Sequence, residues 1–194
     1  TLERKHTGHE ILEMSASQVQ LPRLYRLYHL PKMGDPDWIH ADLLSTVLAS
    51  DKASRLDRAL VHEKQIAQDV AAYILPTEAT GILMLQATAR EGVSIETIEA
   101  AIDEEVARLS VDGITGDELT RARNRAEVEY AHQLETFDAR ADLLGMMSTY
   151  FGDPAMIERW LEPYRAATAD DLAHVARKYL IPENRVTSVF VPEA

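Results

Sequence analysis

The segment Val70-Ala-Ala-Tyr-Ile-Leu75, followed by Ile82-Leu-Met-Leu-Gln-Ala-Thr88, decides the fold class. Both runs are almost entirely apolar and have the length of a strand. The connection Pro76-Thr-Glu-Ala-Thr-Gly81 carries turn-forming residues at both of its ends. This pattern predicts a β-hairpin, because two strand-forming runs separated by a short turn pair as antiparallel neighbours. The fold therefore contains an antiparallel sheet.

The chain before the hairpin predicts two more strands and two helical stretches. The strands are Glu10-Ile-Leu-Glu-Met14 and Val19–Leu30, and Pro22 indicates that the second is an edge strand or begins at that point. Asp35-Pro36-Asp37 opens a helix, since it offers an acidic N-cap, Pro at the first helical position and a second acid in the first turn. Further helical spacing extends from Ala53 to Gln65.

The chain after the hairpin is mostly helical and ends in a strand. Capping residues predict where four helices begin: Ser94, the capping box Thr115–Glu118, the break Gly152-Asp-Pro154, and the capping box Thr168–Asp171. The expected elements are a helix that starts at Ser94 and is ended by Gly113, a helix from Thr115 to about Tyr150, Ala155–Tyr164, a helix carrying Leu172, Val175 and Tyr179, and a strand Arg185–Val191.

Strands grouped in hairpins and helices grouped in runs predict an α+β fold, with a mostly antiparallel sheet packed against a layer of helices. The terminal strand should join the layer of the hairpin. No linker composition divides the chain, so residues 1–194 are interpreted as a single domain, with residues 1–15 forming a terminal strand or a linker to an upstream domain. The first residues carry charges without an apolar run and do not start with Met, which suggests a piece of a longer protein.

The composition is that of an ordinary globular chain, with 46% hydrophobic and 27% charged residues and a formal net charge of −12. That charge repels phosphate backbones, so nucleic acid is not an expected partner. No apolar run is long enough for a membrane segment. The absence of cysteine excludes disulfides, thiolate metal sites and cysteine nucleophiles.

The residues that carry chemistry form no recognisable active site. His6-Thr-Gly-His9-Glu10 is interpreted as terminal surface, because on a strand His6 and His9 point to opposite faces. His62-Glu63 is interpreted as an exposed pair near a helix end. The acids Glu127, Glu129 and Glu135 and the bases Arg121, Arg123 and Arg125 are interpreted as a salt-bridged, solvated helix face.

The middle of the chain nevertheless resembles a known family. Leu43-Leu-Ser-Thr-Val-Leu-Ala-Ser-Asp-Lys-Ala-Ser-Arg-Leu56 and Ala59–Ala67 are similar to the non-catalytic domain of the insulinase, pitrilysin and mitochondrial processing peptidase family of zinc peptidases. Further matching segments follow in the same order: Gln86–Ala89, Gly113–Ala122, Gly152–Pro154, Trp160, Tyr164, Thr168–Leu172 and Tyr179–Arg185.

The resemblance implies that the catalytic chemistry lies in another domain. The catalytic copies of the family carry H-x-x-E-H on their first helix, where two His bind zinc and the Glu activates water. Asp42, Ser45 and Thr46 occupy roughly those places here, so no catalytic residue, metal ligand or cofactor is expected in this chain. Some inactive copies contribute an Arg and a Tyr that polarise the substrate carbonyl, and Val61 and Gln68 stand in those places. Gln68 remains as a possible substrate-chamber position.

The resemblance implies a non-catalytic half of a zinc metallopeptidase, inactive alone, that shapes a peptide-binding chamber. A homologous catalytic domain, in the same longer chain or a separate subunit, would supply the zinc. An acidic wall would favour basic or extended peptide substrates through electrostatic steering. One alternative is a structural or assembly subunit that no longer takes part in proteolysis. A second is an independent hydrolase with an unfamiliar site. The family resemblance favours the bacterial periplasm or cell exterior as the compartment.

Overall fold

The computed structural model describes residues 10–16 and 19–193. Within these residues, five strands form one sheet: β1 (Glu10–Ala16), β2 (Arg23–Leu30), β3 (Ala67–Pro76), β4 (Gly81–Ala89) and β5 (Arg185–Pro192). Their order across the sheet is β1-β5-β2-β4-β3. β3 and β4 pair antiparallel as the predicted hairpin, β2 pairs antiparallel with both β4 and β5, and β1 pairs parallel with β5.

The sheet confirms the predicted fold class and the placement of the last strand. β5 lies in the same layer as the hairpin, between β1 and β2. β2 is therefore an inner strand, and Pro22 marks its start: the strand begins at Arg23, one residue later. This placement suits proline, because the residue before a strand has no ladder bond to donate.

Helices account for most of the remaining described chain. Their bounds are α1 (Pro36–Ala49), a π-helical segment Asp57–Glu63, α2 (Ile95–Asp112), α3 (Gly116–Gln133), α4 (Phe137–Phe151), α5 (Met156–Arg159), α6 (Glu162–Ala166), α7 (Ala169–Tyr179) and a 3₁₀ turn Pro182–Asn184. The predicted N-caps act as such: the side chains of Asp35, Ser94, Thr115 and Thr168 each accept a hydrogen bond from a backbone N–H in the first turn.

Three predicted helices differ from the structure in extent. The expected long helix from Thr115 to Tyr150 is two helices, because Thr136 caps a new start by accepting a hydrogen bond from Ala139 N–H. The expected helix over Ala155–Tyr164 is divided into α5 and the proline-initiated α6. The stretch from Ala53 to Gln65 begins with turns, and its regular part is mainly the π-helical segment.

The hydrophobic core lies between the helices and one face of the sheet. Leu24, Tyr28 and Leu30 of β2 point into it, and so does Arg26, which is fully buried. The Arg26 guanidinium donates to Asp103 Oδ1 at 2.6 Å and to Glu99 Oε1 at 3.2 Å, both on α2. This buried cation has its partners on the covering helix, which is the condition under which a protein interior tolerates a charge.

No helix in the described ranges is both long and apolar enough to span a membrane.

Candidate functional site

The three places that correspond to the family's metal-binding motif lie on α1, where they face α3 and α6. Asp42 Oδ2 accepts a hydrogen bond from the Tyr164 hydroxyl at 2.8 Å. Ser45 is buried and donates to the carbonyl oxygen of Asp42 at 2.7 Å within its own helix. Helical spacing keeps Asp42, Ser45 and Thr46 close together, because residues three and four apart share a face.

A small cleft of about 80 Å³ opens beside Asp42. Asp42 is half-buried, and it lines this cleft. The pKa of Asp42 is raised to about 6. Burial is the main cause of this increase, the hydrogen bond from Tyr164 opposes it, and the charge of Glu129 adds to it. The other lining residues are Leu43, Thr46, Ala126, Tyr130, Gln133, Trp160 and Leu161.

This donor set does not fit zinc. Zinc sites in proteins use thiolates, imidazoles and carboxylates, commonly three or four together. Here one carboxylate is engaged by a tyrosine, and the other two places carry hydroxyls. Among residues 10–16 and 19–193, no group of three or more His, Asp or Glu side chains is placed to hold a metal ion.

The other charged residues considered from the sequence also form local pairs. His62 Nε2 lies 2.9 Å from Asp57 Oδ1. The three acids singled out in the α3 region each have a basic partner: Glu127 pairs with Arg165, Glu129 with Arg125, and Glu135 with His132. Glu129 and Glu135 are exposed and Glu127 is half-buried, and of the three predicted arginine partners Arg125 is the one that pairs with these acids. The pair His6 and His9 lies outside the described residues.

Val61 and Gln68 lie in different surroundings. Val61 belongs to the π-helical segment, where its carbonyl accepts from Arg90 at 3.3 Å. Gln68 lies on β3 at a bulge, since the register passes from Ala67 opposite Ala89 to Asp69 opposite Thr88. The extra residue leaves Gln68 exposed. The structure therefore places Gln68 on the surface, at the beginning of an outer strand.

The face of the sheet that points away from the core is called the open face here. Its residues are only partly covered, and several of them are large and apolar. Tyr25 and Phe190 make an edge-to-face contact with ring centroids 5.6 Å apart, and the Tyr73 hydroxyl donates to Met84 Sδ at 2.9 Å. The most exposed large apolar side chains on this face are Leu12, Met14, Tyr73 and Leu75, each between 37% and 47% exposed.

Strands β2–β5 carry few charged side chains. Asp69 is the one acid on β2–β5. Arg23 is the one lysine or arginine that these strands present on the open face. The other two arginines, Arg26 and Arg185, pair with Asp103 on the helical side. The strands β2–β5 therefore contribute little of the acidic surplus, and the acidic wall expected for the domain stays a prediction. Arg23 was not predicted from the sequence as a functional residue. Its alternation with the buried Leu24 is the signal that could have indicated its place on the open face.

β3 is also an outer strand, and no other described strand pairs with its far side. Such an edge presents a row of backbone N–H and C=O groups that a further strand can use. Peptides bind to many proteins by adding a strand in this way. The open face and the β3 edge are therefore the part of the described structure best suited to contact an extended chain.

Comparisons with known proteins give relatives of this chain in sequence and in fold. A family model described as the peptidase M16 inactive domain matches residues 1–126. The zinc protease PqqE of Helicobacter pylori is 22% identical over 166 residues, which is 84% of this chain and 36% of that protein. A protease structure from Helicobacter pylori superposes with a TM-score of 0.88 at 20% identity, covering 97% of this chain and 45% of that one.

The inactive peptidase domain of a Bordetella parapertussis protein superposes with a TM-score of 0.79 at 26% identity, covering 89% of this chain and 93% of that one. The present chain thus spans less than half the length of both Helicobacter pylori proteins. The family match extends over more than half of the chain. The chain belongs to the peptidase M16 inactive domain family.

Proposed function

We propose that this chain is the non-catalytic half of a zinc metallopeptidase and that it forms one wall of a chamber for extended peptides. The observation that carries this proposal is the partly apolar open face bounded by the unpaired β3 edge. Apolar area of this kind on a folded domain is typical of an interaction surface. Membership of an inactive-domain family and the donor set on α1 support a role that involves binding without catalysis.

The zinc would come from a homologous catalytic domain. Amide hydrolysis by water needs a Lewis acid and a base close together, and α1 provides neither arrangement in this chain. Relatives more than twice as long leave room for such a domain in the same chain, and a separate subunit is the other arrangement. This half would contribute surface that holds the peptide against the catalytic half, and Gln68 would be one of its contact positions.

The test is reconstitution with the homologous domain that bears H-x-x-E-H. We expect the present chain alone to cleave no peptide and the catalytic domain alone to turn over slowly, with faster turnover when both are present. Tyr73→Glu places a charge on the open face and should raise KM for a peptide substrate, because it opposes burial of apolar surface. Phe137→Glu is the matched control, since Phe137 is 89% exposed on α4, away from the sheet.

Two results would contradict the proposal. Peptide cleavage by the present chain alone would show that it has a site of its own, as in an independent hydrolase. A catalytic domain that works equally well without this chain would remove the chamber role and favour the structural or assembly subunit.

A further inference from the structure

A second cleft, of about 270 Å³, lies at the end of the open face where β2 and β3 begin and β4 ends. Its volume suits the terminal residue of a peptide better than a larger ligand. Arg23 is its one charged residue, and the rest of its lining is neutral. The full lining is Val19, Gln20, Leu21, Arg23, Gln68 and Thr88.

The orientation of the Arg23 side chain is fixed by its neighbour on β4. Arg23 Nε donates to Thr88 Oγ1 at 3.0 Å, and Thr88 lies directly opposite Arg23 in the sheet. The Tyr25 hydroxyl oxygen, two residues further along β2, is a second acceptor for this guanidinium. Guanidinium groups have five N–H donors, so Arg23 keeps donors for a further acceptor beyond Thr88 and Tyr25. Within the described chain, no carboxylate lies within 4.0 Å of its guanidinium nitrogens to form an ion pair.

The residues beside the cleft determine which kind of ligand it attracts. Asp69 on β3 lies directly opposite Thr88, as Arg23 does on β2, and it adds a negative charge near Arg23 without forming an ion pair with it. Gln68 lies at the adjoining bulge, and its exposed side chain carries an amide that can both donate and accept. An arginine with donors left beyond its bonds to Thr88 and Tyr25, beside a neutral amide and an edge of β3 with which no described strand pairs, is a site for a planar anion such as a peptide carboxylate.

We propose that this cleft binds a carboxylate of an extended peptide lying along β3, with the Arg23 guanidinium as its partner and the Gln68 amide as a second contact. The inference rests on the proposed function and adds a recognition element to it. In a chain of net charge −12, a peptide carboxylate needs a local cation to approach, and Arg23 is the charged residue that lines this cleft. The carboxylate is the peptide's own terminus or an acidic side chain near its end.

The experiment is an NMR titration of the full 15N-labelled chain with three acetylated peptides. The first is Thr-Val-Thr-Val-Ala with a free carboxylate, the second is the same peptide as a C-terminal amide, and the third is Thr-Val-Thr-Val-Glu as a C-terminal amide. Alternating Thr and Val favour the extended form. We expect shifts at Gln68 and Thr88, with the free acid binding at least about tenfold more tightly than the first amide, since charge-assisted hydrogen bonds have that strength. Tight binding of the third peptide would identify an acidic side chain as an accepted source.

Three variants separate recognition from loss of structure. Arg23→Gln should reduce the affinity for the free acid to that for the amide. Asp69→Asn should increase the affinity for the free acid, an improvement that structural damage does not produce. Arg177→Gln removes an exposed arginine on α7 and should change nothing.

The inference and the proposed function fail in different ways. Equal binding of the free acid and both amides, or unchanged binding by Arg23→Gln, overturns the carboxylate site while the peptide-binding role survives. Absence of binding by all three peptides overturns the carboxylate site and counts against the chamber as well.

Discussion

The surroundings of Asp42 favour the neutral, protonated form of its carboxyl group, since burial raises its pKa from the ordinary 3.8 to about 6. The usual aspartate in an ion pair behaves in the opposite way. Between pH 3.8 and 6 the folded chain binds this proton more tightly than the unfolded chain does. The protonated carboxyl group of Asp42 therefore stabilises the fold at low pH, and this stabilisation is lost as the pH rises through about 6.

Asp42→Asn should therefore stabilise the chain above pH 6. The amide oxygen can still accept from the Tyr164 hydroxyl, and the cost of a buried charge disappears. We expect the free energy of unfolding to increase by about 1–3 kcal/mol at pH 8, with the difference from the wild type shrinking towards pH 4. Urea unfolding across this pH range measures it.

A matched control for that substitution is Asp142→Asn, at an exposed position on α4, which should change stability by no more than about 0.5 kcal/mol. A constant difference between Asp42→Asn and the wild type from pH 4 to pH 8 would contradict the assigned pKa.

The start of α3 shows how a helix cap is connected to the rest of the fold. Thr115 and Glu118 form a reciprocal capping box, and the Glu118 carboxylate also accepts two hydrogen bonds from Arg55, at 2.7 and 2.8 Å. Burial opposes the ionised carboxylate, but the bonds from Arg55 and from Thr115 outweigh it and lower the pKa of Glu118 to about 2. The cap thereby joins α3 to the turn that precedes the π-helical segment.

Glu118→Gln should destabilise the chain at neutral pH. The stabilisation from ionised Glu118 is fully present above its ordinary pKa of 4.5 and is lost as the pH falls through about 2. After allowance for solvent screening, we expect a loss of about 1–2 kcal/mol at pH 7 that disappears towards pH 2. Thermal unfolding at several pH values measures the difference.

The companion variants are Asp117→Asn, which removes an unpaired charge from the same helical turn, and Arg55→Gln. Asp117→Asn should cost less than about 1 kcal/mol. The double variant Arg55→Gln with Glu118→Gln should be less destabilised than the sum of the two single variants. Strict additivity would show that the two side chains do not stabilise the fold together.

For the molecule as a whole, we predict that the purified chain retains no stoichiometric zinc after desalting. The reason is the donor set at Asp42, Ser45 and Thr46, of which only one is a zinc ligand type. Elemental analysis checks the prediction, and one zinc per chain would contradict it. A variant lacking His6 and His9 is the control, because it distinguishes metal held by the terminal histidines from metal held on α1.

The sequence by itself determined the elements whose signals are local. The hairpin of β3 and β4 follows from two apolar runs and a turn, and the helix starts at Asp35, Ser94, Thr115 and Thr168 follow from side chains that bond to backbone N–H groups in the next turn. The break between α3 and α4 carried a signal of the same kind in Thr136. It was overlooked because the helical spacing of apolar residues continued across it.

Only the tertiary structure decided which distant residues meet. Nothing in the local sequence indicates that Arg26 is buried and pairs with Glu99 and Asp103 of α2. In the same way, Asp42 accepts a hydrogen bond from Tyr164, which lies 122 residues further along the chain. The cleft of Arg23 exists because β4 lies between β2 and β3 and a bulge exposes Gln68. Local propensity acts over a few residues, whereas these contacts depend on strand order and register, which are fixed by burying one face of the sheet against the helices.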